Sequence, residues 1–306
     1  MTPSSVEAGA RALAAGELVL MPTETVYGLA ADASNPIAVA RIFEAKGRPR
    51  FNPLIAHVED LDAAERVAVF GDKARRLAEA FWPGPLTLVL PVRDPQRVCD
   101  LARAGLSTVA VRVPGHAKAR ELIGRFGGAV VAPSANRSGR PSPTTFADAM
   151  DETGFAVAAA LDGNHCAVGI ESTVVSVNDG EVRLLRPGAV TRQDLEAVVG
   201  PLAEAGDDAK RSPGRLALHY APDAPVRLEA DGAGEGEAYL AFGAGSASPF
   251  NLSPSGDLRE AAANLFRLLR EADRTKPAAI AVAPIPREGL GEAINDRLKR
   301  AAGYVG

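Results

Sequence analysis

The chain has 306 residues, of which 46% are hydrophobic, and a formal net charge of −4. This length and composition predict a globular protein with a sizeable core and room for two domains. The acidic balance argues against a strongly basic nucleic-acid-binding surface but leaves a local basic cavity open, and the two cysteines, Cys99 and Cys166, form no zinc or disulfide pattern.

No basic leader stands at residues 1–7, and no apolar run approaches the roughly 20 residues that cross a bilayer. We therefore expect a cytoplasmic protein with no membrane partner.

Strand and helix signals alternate along residues 1–200, which is typical of an α/β layer fold. Apolar runs predict strands at Leu18–Pro22, Pro53–Val58, Leu86–Val92, Val109–Val113, Ala129–Ala132, Ser172–Val177 and Glu181–Leu185. Amphipathic stretches predict helices at Ser5–Ala15, Pro36–Ala45, Asp72–Phe81, Ala117–Phe126, Thr145–Asp151 and Thr191–Val198. The turn residues Asn178-Asp179-Gly180 favour an antiparallel hairpin, so the sheet is predicted to be mixed.

A polar, proline-rich stretch follows this first unit and predicts a linker or lid. We expect a first domain at 1–205, a linker at 206–224 and a small α/β domain at 225–306. Its predicted elements are strands at Pro225–Leu228, Ala238–Phe242 and Ala278–Ala283 and helices at Leu258–Ala272 and Leu290–Ala302.

The first motif in chain order, Pro22-Thr-Glu-Thr-Val-Tyr-Gly28, follows a predicted strand and offers hydroxyl groups. It is compatible with a binding site and equally with a polar strand end closed by a glycine turn.

The second motif places Lys46, Arg48 and Arg50 close together at the end of a predicted helix, with Asn52 directly after them. Cations at a helix C-terminus favour the dipole, and Gly47 could cap the helix, so a structural explanation exists. Three cations exceed what a cap needs, and we therefore favour a phosphate-binding role.

Two charged or titratable residues lie inside predicted apolar strands. His57 is compatible with a satisfied core residue or with a site residue. Arg112, flanked by Val111 and Val113, needs an anionic partner if it is buried, and that partner is either a protein carboxylate or a substrate carboxylate.

Ser134 and Asn136 follow the predicted strand Ala129–Ala132, at a strand end where α/β enzymes place their chemistry. They could bind phosphate oxygens or form an Asx-type turn. Together with Lys46 and Arg48 they would make a concave site with two cations and two neutral hydrogen-bonding groups, which suits a polyphosphate. The sequence contains none of the common phosphate-loop, nucleophile-elbow or zinc-protease motifs.

Taken in order, a set of segments resembles the YrdC-like threonylcarbamoyl-AMP synthases. They are Pro-Thr-Glu-Thr-Val-Tyr-Gly-Leu at 22–29, Lys-Gly-Arg-Pro at 46–49, Asn-Pro-Leu-Ile at 52–55, Trp-Pro-Gly-Pro-Leu-Thr at 82–87, Val-Arg-Val-Pro at 111–114, Pro-Ser-Ala-Asn at 133–136, Glu-Ser-Thr-Val at 171–174 and Leu-Arg-Pro-Gly at 185–188. Ser-Pro-Gly at 212–214 and His219-Tyr220-Ala-Pro resemble the longer, two-domain branch. The resemblance implies a twisted mixed sheet with flanking helices around a concave site.

The resemblance also implies a reaction in which L-threonine, bicarbonate or CO2, and ATP give threonylcarbamoyl-adenylate, pyrophosphate and water. Mg²⁺ is expected with ATP, carried mainly by its phosphates, because no acidic cluster marks a protein-held metal site. A separate tRNA threonylcarbamoyltransferase would use the product.

Site residues follow from the family's matching positions. The catalytic signature corresponds to Lys46, Arg48, Ser134 and Asn136. The expected threonine-binding residues are Thr25, His57, Arg112 and Ser172. The expected ATP-binding residues are Arg48, Asn52, Thr108, Ser134, Ser142, Arg186 and Tyr220. Tyr220 would make residues 212–222 a lid that shields the mixed anhydride from water.

Three alternatives stay open from the sequence. A YrdC-like domain could bind double-stranded RNA, although the acidic balance weakens this. A carbamoyl-phosphate-using relative would carry additional regions that this chain lacks. An inactive paralogue is disfavoured because the four signature residues are all present.

Overall fold

The computed structural model describes residues 2–204 and 219–304, which contain a large and a small β-sheet. In the first part of the chain, the helices are α1 (Val6–Ala14), α2 (Pro36–Lys46), α3 (Leu61–Val67), α4 (Asp72–Phe81), α5 (Asp100–Arg103), α6 (Ala117–Phe126), α7 (Phe146–Thr153) and α8 (Arg192–Val199). The strands are β1 (Leu18–Met21), β2 (Gly28–Asp32), β3 (Ile55–His57), β4 (Leu86–Pro91), β5 (Thr108–Arg112), β6 (Val130–Val131), β7 (Val157–Ala160), β8 (Thr173–Asn178) and β9 (Glu181–Arg186).

The second part of the chain forms a smaller unit. It contains strands β10 (Val226–Arg227), β11 (Ala238–Ala241), β12 (Phe250–Asn251) and β13 (Ile280–Val282) and helices α9 (Leu258–Arg274) and α10 (Leu290–Ala301). Its sheet has the order β10-β13-β11-β12, and all three strand pairs are parallel. The predicted α/β character of this unit is confirmed.

The large sheet has the order β7-β1-β2-β6-β3-β5-β4-β8-β9 and is mixed, as predicted. Strand β5 lies between β3, with which it is parallel, and β4, with which it is antiparallel. Side chains alternate between the faces of a strand, so Thr108, Ala110 and Arg112 lie on one face of β5, where they line cavities. This face carries the candidate site.

The predicted hairpin at the sheet edge is present. Strands β8 and β9 pair antiparallel, with Asn178 opposite Glu181. Between them, Asp179 and Gly180 have φ angles of 49° and 76°, which are the left-handed conformations that a two-residue hairpin turn requires.

Several elements are not predicted by the sequence patterns, namely β2, β7, α3, α5 and β12. Strand β2 has the sequence Gly-Leu-Ala-Ala-Asp and β7 has Val-Ala-Ala-Ala, so both are rich in residues with low strand preference. The first four residues of β2 are buried, which removes the polar alternation that marks a one-sided strand. Tertiary burial, and not local preference, makes these segments strands.

The two units share buried surface. Val26 and Ile170 of the first unit belong to the same buried apolar cluster as Tyr220 and Phe266 of the second. The predicted linker at 206–224 lies partly outside the described residues, and so does most of the predicted lid at 212–222.

Candidate active site

A small cavity of about 50 Å³ lies where the large sheet meets the second unit. Its lining residues are Thr25, Val26, Arg48, Pro53, Leu54, Ile55, His57, Arg112, Ala132, Pro133, Ser134, Glu171, Ser172, Arg186, His219 and Tyr220. We call Thr25, His57, Arg112, Ser172 and Arg186 the strand wall, because they lie on or beside strands of the large sheet. We call His219 and Tyr220 the closing wall.

Arg112 ends β5 and is held by three protein groups. Its Nε donates to the Gly84 carbonyl at 3.1 Å and its Nη1 to the Thr25 hydroxyl at 3.0 Å, while Nη2 pairs with the Glu24 carboxylate. Glu24 also accepts from the Gly115 backbone N–H at 2.9 Å. Burial opposes ionisation of Glu24, but the Arg112 guanidinium lowers its pKa below the ordinary value. Arg112 therefore has the protein carboxylate partner that its burial required.

His57 ends β3 beside Arg112 and is only 3% exposed. Burial, and then the Arg112 charge, lower the pKa of His57 to about 3, so the imidazole is neutral near pH 7. Its Nδ1 lies 3.1 Å from the Ile55 carbonyl. The strand wall thus receives a polar group without an additional positive charge.

Arg186 ends β9 and is packed against Ser172. Its Nε and Nη2 donate to the Ser172 carbonyl at 3.1 and 2.9 Å, and Nη2 also reaches the Ser172 hydroxyl at 3.2 Å. The chain turns closely here: a Cβ added at Gly188 would lie 2.4 Å from the Thr173 nitrogen, so glycine is needed. Ser172 also shares a 2.7 Å hydrogen bond with Thr87.

Two basic side chains at and just beyond the end of α2, Lys46 and Arg48, point in different directions. Gly47 adopts φ 58° and its N–H donates to the Glu44 carbonyl, while the Arg48 N–H donates to the Phe43 carbonyl, so the helix is capped at Gly47. Lys46, the last helical residue, donates to the carbonyls of Ser134 and Asn136. Arg48, beyond the cap, lines the cavity.

Arg48 has few protein partners for a cation in such a position. Its Nη2 donates to the Pro53 carbonyl at 3.3 Å. Its buried Nε has no hydrogen-bond partner among residues 2–204 and 219–304. Burial lowers the pKa of Arg48 to about 10, which still leaves it charged near pH 7. A charged donor in this situation is a physical reason to expect an anionic ligand.

The loop after β6 is fixed by the backbone as well as by Lys46. The Leu29 N–H donates to the Pro133 carbonyl and the Ala135 N–H to the Tyr27 carbonyl, each at 2.8 Å. The Asn136 amide donates to the carbonyls of Arg137 and Arg140, which keeps it inside the loop. Ser134 lines the cavity.

The closing wall comes from the segment that enters the second unit. Tyr220 adopts φ 64°, and its ring lies 5.2 Å from the Phe266 ring and 4.0 Å from the His219 ring. Both residues are almost fully buried. In the part of the chain that the structure describes, neither the Tyr220 hydroxyl nor His219 Nδ1 has a hydrogen-bond partner. These polar groups are further candidates for ligand contact.

A second cavity of about 230 Å³ continues along the same sheet face and shares Pro53 with the first. Its lining includes Thr108, Ala110 and Leu185. Ligand pockets usually measure about 300–1,000 Å³, so each cavity alone is too small for a nucleotide. The two cavities lie along one sheet face, and a nucleotide could extend over both.

The structure therefore sorts the predicted residues. Those that line the first cavity are Thr25, Arg48, His57, Arg112, Ser134, Ser172, Arg186 and Tyr220. Thr108 lines the second. Those that line neither of these two cavities are Lys46, Asn52, Asn136 and Ser142, all buried. The roles predicted for all of these residues stay predictions.

Three charged residues near the cavity, Glu24, Glu171 and Arg297, have no role predicted from the sequence. The two glutamates lie inside the family-like segments at 22–29 and 171–174, but their ion-pair partners lie far away in the sequence. Arg297 has a detectable signal, because it is four residues after Ala293 and three after Ile294, on the buried face of α10.

The described residues hold no group of three or more His, Cys, Asp or Glu side chains that could bind a metal ion. The cavity carboxylate Glu171 and the neighbouring Glu24 are each engaged by a guanidinium. No helix within 2–204 and 219–304 is long and apolar enough to cross a membrane.

Comparisons with known proteins cover both units. The family model for Sua5, YciO and YrdC proteins, described as telomere recombination, matches residues 11–188. The model described as the C-terminal domain of threonylcarbamoyl-AMP synthase matches residues 190–303.

Curated relatives match along most of the chain. The threonylcarbamoyl-AMP synthase of Pyrococcus abyssi is 40% identical, with 94% of this chain and 91% of the relative covered. The enzyme of that name from Bacillus subtilis is 39% identical, with 94% and 90% covered. The crystal structure of P. abyssi Sua5 complexed with L-threonine matches with a TM-score of 0.89 and 37% identity, covering 98% of this chain and 94% of that one.

Proposed function

This chain belongs to the two-domain threonylcarbamoyl-AMP synthase family, and we infer that it joins L-threonine, bicarbonate or CO2, and ATP into threonylcarbamoyl-adenylate with release of pyrophosphate, and of water when bicarbonate supplies the carbon. The observation that carries the proposal is the cavity cation Arg48, whose buried Nε has no partner among the described residues. It lies in one cavity with Arg186 and with the hydroxyls of Ser134 and Ser172.

The strand wall suits an amino acid. Threonine carries one carboxylate and one hydroxyl, and the wall offers Arg112, neutral His57 and hydroxyl groups. Three of the five N–H donors of Arg112 serve protein groups, so the guanidinium is held in a fixed orientation. A relative crystallised with L-threonine supports this assignment.

The chemistry requires placement and charge neutralisation more than a protein nucleophile. The threonine amine reacts with CO2, or with bicarbonate and loss of water, to give a carbamate. A carbamate oxygen then attacks the α-phosphorus of ATP, and the bond to pyrophosphate breaks. Arg48 and Arg186 offset the negative charge that gathers on the phosphate oxygens, and the buried setting strengthens this interaction.

The nucleotide would run along the shared sheet face, with its phosphates at Arg48 and Ser134 and its nucleoside toward Thr108 in the second cavity. Tyr220 covers the first cavity from the side of the second unit. Exclusion of water at this point would protect the mixed anhydride product.

Mg²⁺ is proposed to arrive with the ATP phosphates, since the described carboxylates at the site are engaged by arginines. The product is proposed to pass to a separate tRNA threonylcarbamoyltransferase. The cytoplasm, where ATP and tRNA occur together, is the compartment that this proposal implies.

The test is pyrophosphate release from ATP and Mg²⁺ by the purified full chain. We expect release that needs both bicarbonate and L-threonine, with L-serine as a matched amino acid lacking one methyl group. Pyrophosphate release that does not depend on the amino acid would overturn the proposal. So would a folded protein that binds ATP and releases no pyrophosphate.

A further inference from the structure

One side chain of the second unit reaches beneath the candidate active site. Arg297 is 1% exposed and lies on the buried face of α10. Its Nε donates to the Glu171 carboxylate at 2.8 Å, and its Nη1 donates to the Pro187 carbonyl at 3.0 Å and to Asp296 at 2.7 Å. Its guanidinium carbon lies 5.5 Å from the centre of the Tyr220 ring. This one residue thus contacts both the first unit and the closing wall.

Glu171 is the cavity-lining carboxylate that Arg297 holds. Its other oxygen accepts from the hydroxyl of Ser142, which is fully buried. Burial opposes ionisation of Glu171, yet the charges of Arg297 and then Arg186 lower its pKa below the ordinary value. Glu171 is therefore an anion placed among the cations that the proposed reaction uses.

The sign of that charge matters. A buried carboxylate without its partner attracts the nearest remaining cation, because an uncompensated buried charge is unfavourable. Arg186 interacts electrostatically with Glu171 and lies in the same cavity. If Glu171 drew Arg186 away from Ser172, the cavity would lose positive charge at the point where phosphate oxygens are proposed to bind.

We propose that Arg297 is a positioning residue: it fixes and neutralises Glu171, so that Arg186 stays against Ser172 and directs its charge to the substrate. Through Tyr220, the same side chain supports the closing wall. Docking of α10 against the first unit is then a condition for an active phosphate site. This inference rests on the proposed synthase function.

The test compares four variants by pyrophosphate release under saturating threonine and bicarbonate, with ATP varied. Arg297→Gln leaves Glu171 without its cation, and we expect kcat/KM for ATP to fall by about tenfold or more. The double variant Glu171→Gln/Arg297→Gln has no carboxylate to capture Arg186, and we expect it to be faster than Arg297→Gln alone. Arg297→Lys keeps a cation opposite Glu171 and should lie between the wild type and Arg297→Gln.

Arg300→Gln is the matched control, since Arg300 lies one turn further along α10 and pairs with Asp296 and not with Glu171. We expect its kcat/KM to stay near that of the wild type. The melting temperature of each variant is measured, and rates are compared for folded protein only.

Recovery in the double variant separates positioning from general support, because a purely structural arginine would make the double variant no faster than the single one. That result, or unchanged kcat/KM in Arg297→Gln, overturns the inference. So does a folded Arg297→Lys protein as slow as Arg297→Gln. An inactive wild type overturns the proposed function instead, which keeps the two failures distinguishable.

Discussion

The strand wall and the closing wall of the cavity differ in how their polar groups are satisfied. On the strand wall, Arg112 and Arg186 already have protein acceptors that fix their orientation. On the closing wall, the Tyr220 hydroxyl and His219 Nδ1 are buried without partners among residues 2–204 and 219–304. The comparison indicates that the strand wall is preorganised by the protein, whereas the closing wall has polar groups that a ligand can satisfy.

Lys46 and Arg48 of the Lys-Gly-Arg motif differ in the same way: Lys46 is bonded to protein carbonyls, whereas Arg48 has a buried donor with no partner among residues 2–204 and 219–304. Replacing each of them tests this contrast most sharply. Arg48→Met removes the cavity guanidinium, whose buried Nε has no hydrogen-bond partner in the part of the chain that the structure describes. We expect kcat/KM for ATP to fall by roughly 100- to 1,000-fold, the range for loss of a charge-stabilising group. The unfolding free energy should change little, because the donor removed serves few protein acceptors.

Lys46→Met is the matched variant for Arg48→Met. Lys46 holds the carbonyls of Ser134 and Asn136, so its loss should lower the unfolding free energy by about 1–3 kcal/mol. Urea unfolding measures this difference. Equal unfolding free energies for the two variants would contradict the separate roles that we assign to Lys46 and Arg48.

The closing wall gives a smaller expected effect. Tyr220→Ala removes the ring that packs on Phe266 and under Arg297, and we expect kcat/KM for ATP to fall by about tenfold to a hundredfold. Tyr220→Phe keeps the ring and removes only the hydroxyl, so its loss should be about tenfold or less. If Tyr220→Phe is as slow as Tyr220→Ala, the hydroxyl and not the packing is the important group.

The last effect concerns stability and not rate, and it arises from protonation of one histidine from each wall. Burial lowers the pKa of His57 and of His219 to about 3, below the ordinary value of 6.5. Because the folded state holds both rings neutral, the stability that they contribute is complete above pH 6.5 and is lost as pH falls toward 3. We expect a loss of about 1 kcal/mol per histidine for each pH unit below 6.5.

Urea unfolding between pH 7.5 and 5 measures that dependence, in a range above the lowered pKa values of Glu24 and Glu171. His219→Asn should have a shallower pH dependence than the wild type. An unchanged slope would mean that His219 does not stay neutral in the folded protein.

The strand wall could be predicted only in part from residue patterns, because His57 and Arg112 interrupt predicted apolar strands, whereas the site roles of Thr25, Ser172 and Arg186 came from the family resemblance. Arg112 and Ser172 both line the cavity. Of the two partners that the sequence left open for Arg112, the protein carboxylate is present and is Glu24. Whether it also contacts a substrate carboxylate stays a prediction.

The closing wall was less predictable. Tyr220 was found only through a family resemblance, and the Glu171–Arg297 pair joins residues that no local pattern connects. The cations Lys46 and Arg48 look equivalent in sequence, but the left-handed turn at Gly47 separates their directions. The alanine-rich strands β2 and β7 were missed because burial on a shared sheet, and not strand preference, determines them. RNA contact stays a prediction.

The most direct test of the account is to identify the product. The full chain is incubated with ATP, Mg²⁺, L-threonine and 13C-labelled bicarbonate, and the nucleotides are analysed by mass spectrometry. We expect an adenylate that carries threonine and one labelled carbon, formed in step with pyrophosphate. An adenylate that carries threonine without the label, or pyrophosphate release with no labelled adenylate when the product is trapped promptly, would contradict it.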